Sequence, residues 1–182
     1  LYLYEKNPAT WEIIPDGAWG KMEYKIAGPT FDFVFNGKKL NPGGNYTLMY
    51  YPDPWPGTGL ICLADGTANK GGNIHLSDSV ELNTDLPIAS DFNQGAKIWL
   101  VLSSDVDCDE QQMKVWNPTE YLFEKKLITY EDTNLPELVD TVNILTVPGP
   151  PAIVNCSERC ISFYPEQPGN WGDEYPTGAV TE

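Results

Sequence analysis

The sequence predicts an all-β protein: an antiparallel β-sandwich, Ig-like or jelly-roll-like, with an extended proline-rich C-terminal arm. Three observations predict it. Short apolar segments recur along the chain with turn residues between them. Glycine and proline, 16 of each in 182 residues, stand above their average usage of about 7% and 5%. Very little of the chain has helical period. An apolar content of 41% argues against a disordered chain despite its acidity. The length suits one well-buried core with an appendage.

The elements follow in chain order. "LYLY" at Leu1 is strand-like, and the absence of an initiator methionine is what a mature chain shows after signal-peptide removal. "FDFVF", Phe31 to Phe35, alternates cleanly and runs into Asn36-Gly37, a hairpin-turn dipeptide. "YTLMYY", "GLICL", "KIWLVL" and "LITY" read as further strands, separated by glycine-, proline- and aspartate-rich turns. "NPTEYLFEKKL" from Asn117 offers a helix start, with proline at the first helical position, yet Tyr121 and Phe123 also alternate as in a strand. "PELVDTVNILTV" is mixed in the same way. After Val147 the texture changes: the last thirty-five residues hold six of the sixteen prolines. The chain therefore divides into a β-domain, 1–147, and an arm, 148–182, whose one strand-like piece is "CISFY".

Four cysteines, Cys62, Cys108, Cys156 and Cys160, allow three fully paired connectivities. Zinc is disfavoured because the spacing lacks C-x-x-C knuckles and the one histidine, His75, sits in an alternating segment. A redox motif also needs C-x-x-C. Cys62 and Cys108 each lie at or just beyond a predicted strand, so their pairing is expected first, leaving Cys156 with Cys160 or an intermolecular bond. Two N-x-S/T triplets, at Asn45 and Asn155, make N-glycans the expected covalent partners. Sequons and paired cysteines point to one compartment, extracellular and oxidising.

A net charge of −15 repels nucleic acid and anionic lipid. No run approaches a membrane span; the longest apolar one is Ile98 to Leu102. Asp105, Asp107 and Asp109 alternate in "SSDVDCDE" and are the candidate ligands for calcium, the one cofactor considered. An EF-hand's glycine and glutamate are missing, and a solvated acidic turn is the competing reading. Trp55 in "YPDPWPG" is the candidate glycan contact, while Trp11, Trp19, Trp99 and Trp116 read as core or rim packing. No nucleophile elbow or phosphate loop occurs, and no pair of carboxylates stands out, so a non-enzyme is expected.

The stretches "YEKNPATWEIIPDGAWGKMEY", "FDFVFNGKKLNPGGNYTLMYYPDPWPGTGLICLADGTANKGGNIH", "DLPIASDFNQGAKIWLVLSSDVDC" and "WNPTEYLFEKKLITYEDT" resemble a family of secreted domains found in archaeal and bacterial cell-surface proteins. The resemblance covers roughly Tyr4 to Thr133. It implies an extracytoplasmic β-rich module and no enzyme mechanism. The functional expectation is thus a structural subunit of an extracellular filament or surface assembly. Copies would be joined head-to-tail by strand addition through Leu1 and Leu3 at one end and Ile161 and Phe163 at the other. A cell-surface module binding glycans or protein is the alternative.

Overall fold

The computed structural model describes residues 1–135, which form an all-β domain as expected. Its strands are β1 (Tyr2–Tyr4), β2 (Trp19–Tyr24), β3 (Ala27–Gly28), β4 (Phe31–Lys38), β5 (Asn45–Tyr51), β6 (Ile61–Thr67), β7 (Ile74–Val80), β8 (Lys97–Leu102), β9 (Val106–Asp107), β10 (Gln112–Met113), β11 (Leu122–Glu124) and β12 (Glu131–Asp132). Eight of them make one antiparallel sheet in the order β6-β5-β8-β11-β1-β2-β4-β7. The sheet curls until its two edge strands, β6 and β7, lie side by side, nearly closing a barrel. A Cβ on Gly66 of β6 would come within 2.6 Å of Leu76 on β7.

Alternation decides which side chains enter. In β4, Phe31, Phe33 and Phe35 point into the barrel while Val34, Asn36 and Lys38 face out. Leu3, Met22, Leu48, Ile74, Leu76, Ile98, Leu100 and Leu122 complete that interior from the other strands. The segments "YTLMYY" and "KIWLVL" do not alternate, because β5 and β8 are buried on both faces. Met49, Tyr51, Trp99, Val101 and Phe123 project from the outer side of β5, β8 and β11 into a second core. Leu60, Val106, Met113 and Tyr121, from the connections β5–β6 and β8–β11, cover it.

Three expectations are corrected and one ambiguity is resolved. Asn36-Gly37 is not a turn: β4 runs on to Lys38, and Gly37 pairs with Gly20 on β2. A Cβ at Gly37 would come within 2.8 Å of Ile74, so this glycine serves close packing. The chain turns after Lys38 instead, where Lys39 takes φ 61°. "LITY" forms only isolated bridges, Ile128 to Ala96 and Tyr130 to Leu86. "NPTEYLFE" resolves into both of its readings in succession, a 3-10 turn at Pro118–Glu120 followed by β11. Finally, β1 is a central strand, paired with β11 on one side and β2 on the other. Leu3 is therefore a fully buried core residue, and Leu1 packs against the same core while its ammonium donates to the Met22 carbonyl at 2.9 Å. This strand has no free edge to offer a neighbour. The boundary at 147, the segment "PELVDTVNILTV" and "CISFY" lie outside the described residues.

Candidate functional site

The outer core reaches the surface beneath Trp116. Trp99 on β8 is 5% exposed, stacked on Tyr51 at 3.8 Å between ring centroids and 12° between planes, with Phe123 edge-on at 5.2 Å. Above this base stand three indoles from three separate connections. Trp116, from the β8–β11 connection, packs on Trp99 at 5.8 Å, Tyr121 at 5.9 Å and Phe123 at 6.0 Å, and is 41% exposed. Trp55 meets Trp116 at 5.6 Å and 73°, and Trp11 meets it from the β1–β2 loop at 6.3 Å and 40°. Trp55 and Trp11 are each 48% exposed. The result is a ridge of three partly solvated indoles, Trp11 and Trp55 each packed against Trp116.

Each ring is held by its own backbone. Pro54 and Pro56 flank Trp55, both preceded by cis peptide bonds. Gly57 N–H donates to the Pro54 carbonyl at 2.8 Å, and Met113 N–H to that of Pro56 at 2.9 Å, which closes the turn and ties it to β10. Gly57 has φ 75°, and any Cβ there would strike the Tyr51 ring, so glycine is required on both counts. The buried Lys97 ammonium pairs with Asp53 and anchors the loop to β8. Trp11 adopts φ 60°, a left-handed conformation costing a bulky residue about 1–2 kcal/mol. Its N–H donates to the Asn7 carbonyl at 2.7 Å, and Asn7 N–H to that of Glu12 at 2.9 Å. Such strain at an exposed aromatic is one sign of a positioned side chain.

Charge borders the ridge. The Lys6 ammonium lies 6.0 Å from the Trp11 ring and donates to the Glu124 carbonyl at 2.8 Å; burial lowers its pKa, and the lysine at 97 adds to this while the Glu124 carboxyl opposes it. Glu124 ends β11 at 4% exposure. Burial pushes its carboxyl up to about 7, against the opposing pull of its own backbone N–H, Lys6, Lys97 and the nearby Trp99 indole. One carboxylate oxygen and the Trp99 indole N–H face one another's neighbourhood yet neither completes a hydrogen bond.

The proposed calcium ligands are not brought together, a second set of corrections. Asp105 closes a 3-10 turn and points inward. Its carboxylate accepts from the Tyr121 hydroxyl at 2.7 Å, Asn117 Nδ2 at 2.9 Å and the Ser104 hydroxyl at 2.8 Å. Burial raises the Asp105 pKa, but these hydrogen bonds and Lys114 outweigh it, and the net shift is down. Burial and the same carboxylate push the Tyr121 phenol up. Asp107 caps Glu110 N–H at 3.1 Å and faces Lys114 at 4.0 Å, while Asp109 is exposed. Among the described residues no three acidic, histidine or cysteine side chains gather to hold a metal. Asp105 is a structural acceptor that pins the β8–β11 connection and thus Trp116. Asp105→Ala should cost about 2–3 kcal/mol by removing the buried acceptor that Tyr121, Asn117 and Ser104 share, read as a lowered urea midpoint, and added calcium should shift neither protein.

Cys62 and Cys108 are bonded, as expected, with Cα atoms 5.8 Å apart. Asn45 begins β5 in an exposed position, its Oδ1 accepting the Thr67 hydroxyl at 2.6 Å. The hydroxyl of Thr47, third residue of the triplet, is directed inward to Asp65 and Ser103. Asn155, Cys156, Cys160, Ile161 and Phe163 lie outside the described residues. Among the described residues no helix is long and apolar enough to cross a membrane.

Of the ridge, only Trp55 was legible as an exposed ring. Trp99 is core, as read, but Trp11 and Trp116 join Trp55 at the surface. Their one local signal is that both sit outside strands, in "NPATW" and "VWNP". No family model, curated protein or solved structure matches the chain, so the geometry of its own residues carries the functional reading.

Proposed function

We propose that this chain is a non-catalytic structural subunit of an extracytoplasmic assembly, and that the Trp11–Trp55–Trp116 ridge is the contact through which it meets its neighbour. The carrying observation is three adjacent indoles, 41–48% exposed, on a base stapled by hydrogen bonds and a disulfide. Tryptophan is the residue most enriched where binding energy concentrates, because one rigid ring removes a large apolar area from water at little entropic cost. A solvent-facing apolar ridge of this kind marks an interaction site. The bonded cysteines support an oxidising compartment, and an N-glycan on the exposed Asn45 belongs to the same reading.

Light scattering of the purified full chain over a wide concentration range tests it. The wild type should gain mass with concentration. Trp55→Ala and Trp116→Ala, whose rings are partly solvated, should keep the circular dichroism of the fold and each weaken association about 30-fold, the equivalent of roughly 2 kcal/mol for a central contact residue. A wild type that stays monomeric at every concentration sinks the reading. The second reading is a glycan-binding module: the exposed Trp55 ring, edge-on to Trp116, could take the apolar face of a sugar. Glycan binding abolished by Trp55→Ala, with no assembly, would favour it.

A further inference from the structure

We infer that the occupant of the tryptophan ridge is the proline-rich segment of a neighbouring copy of this chain, residues 148–168; this rests on the reading of the ridge as an assembly contact. The ridge shows what its occupant must be. It needs apolar surface every few ångströms along a narrow, extended backbone that can lie across three indoles. Trp11 and Trp55 each pack against Trp116, at 6.3 and 5.6 Å, so the three rings present one continuous apolar surface. A polyproline II strand repeats every three residues and about 9 Å, so two prolines three apart can both rest on a surface of three packed indoles. Aromatic furrows are the usual receptors for P-x-x-P segments, whose backbone is already ordered before binding.

The chain carries that chemistry itself. Pro148 and Pro151 stand three apart in "PGPP", and Pro165 and Pro168 three apart in "PEQP". Neither spacing occurs within a described strand. Leu135 and Pro148 are thirteen positions apart, enough for a fully extended span of about 45 Å, so the segment has the length to reach a neighbouring copy. Charge agrees. Residues 148–182 hold Glu158, Glu166, Asp173, Glu174 and Glu182 against the single Arg159, whereas the ridge is bordered by Lys6, 6.0 Å from the Trp11 ring, and by Lys114, next but one to Trp116. Glu166 falls inside the second P-x-x-P. One copy's segment on the next copy's ridge is a heterologous contact, and one that does not close produces a filament.

Two full-length variants separate the halves of the contact. Trp55→Ala with Trp116→Ala leaves the segment intact and disables the ridge. Pro148→Ala, Pro151→Ala, Pro165→Ala and Pro168→Ala together leave the ridge intact and disable the segment. Each alone should remain monomeric by light scattering where the wild type assembles, and an equimolar mixture should form a one-to-one heterodimer that grows no further. A fluorescein-labelled peptide of residues 163–169 should bind the proline variant and bind the tryptophan variant at least tenfold more weakly. If the proline variant assembles like the wild type while the tryptophan variant does not, the inference is overturned and the assembly reading stands. If the wild type is monomeric, the assembly reading fails as well. A ridge that takes glycan and ignores the peptide, or a segment that binds only the ridge of its own chain, also overturns the inference.

Discussion

Replacing both Cys62 and Cys108 with serine is expected to destabilise the domain by about 4 kcal/mol, the chain-entropy value for a bond that closes a loop of this length. The two residues are separated by 46 positions. Cys62 lies on β6 and Cys108 follows β9, so the bond fastens the β8–β11 connection across the outer core to the sheet edge. That connection also carries Trp116. Two readouts should therefore move together. The urea midpoint falls, and tryptophan emission shifts to the red as the ridge loosens on its base. Serine variants are preferable to a reductant here, because Cys156 and Cys160 then stay as they are. A loss below about 1 kcal/mol would mean that packing of Leu60, Val106, Met113 and Tyr121 holds the connection without the bond.

Glu124→Gln is expected to stabilise the protein at pH 8 and to flatten its stability between pH 5 and 8. The Glu124 carboxyl is pushed up to about 7 by burial from an ordinary value of 4.5, so the folded state prefers it protonated. The stability it contributes is full below about pH 4.5 and is lost as pH rises to about 7, leaving the ionised form about 3 kcal/mol worse off. Glutamine keeps the shape and cannot ionise, and its oxygen can accept from the Trp99 indole N–H that now lacks a partner. Chemical denaturation of both proteins at pH 5 and pH 8 checks this. Parallel pH profiles would show that Glu124 remains charged in the fold, held by Lys6 and Lys97. Because Trp99 supports Trp116, the same comparison shows whether ionisation of Glu124 disturbs the ridge.

Local pattern and non-local outcome part company at identifiable residues. "FDFVF" was legible because alternation is a property of one strand facing one core, and β4 faces one core. "KIWLVL" was legible as a strand from its apolar run, but that it separates two cores was not, since the second core is completed by residues outside the strand, from Leu60 in one connection to Val106, Met113 and Tyr121 in another. Asn36-Gly37 misled because the same dipeptide that permits a turn also permits close packing against Ile74. The alternating aspartates of "SSDVDCDE" implied one cluster. A 3-10 turn at Ser103–Asp105 instead sends Asp105 inward to Tyr121 and leaves Asp109 outside. "LYLY" had the pattern of a terminal strand free to pair elsewhere, and only the sheet order places it between β11 and β2.

By itself the sequence determined the all-β class, the turn-rich connections, the acidic surface and the capacity of Cys62 and Cys108 to pair, because each of these follows from composition or from neighbours within a few residues. The tertiary structure alone decided that Trp11, Trp55 and Trp116 meet. They lie on three connections, far apart in the chain, and no periodicity links them. They converge because β5, β8, β11 and β1 stand adjacent in the curled sheet, and the loops leaving those strands must share the surface over the outer core.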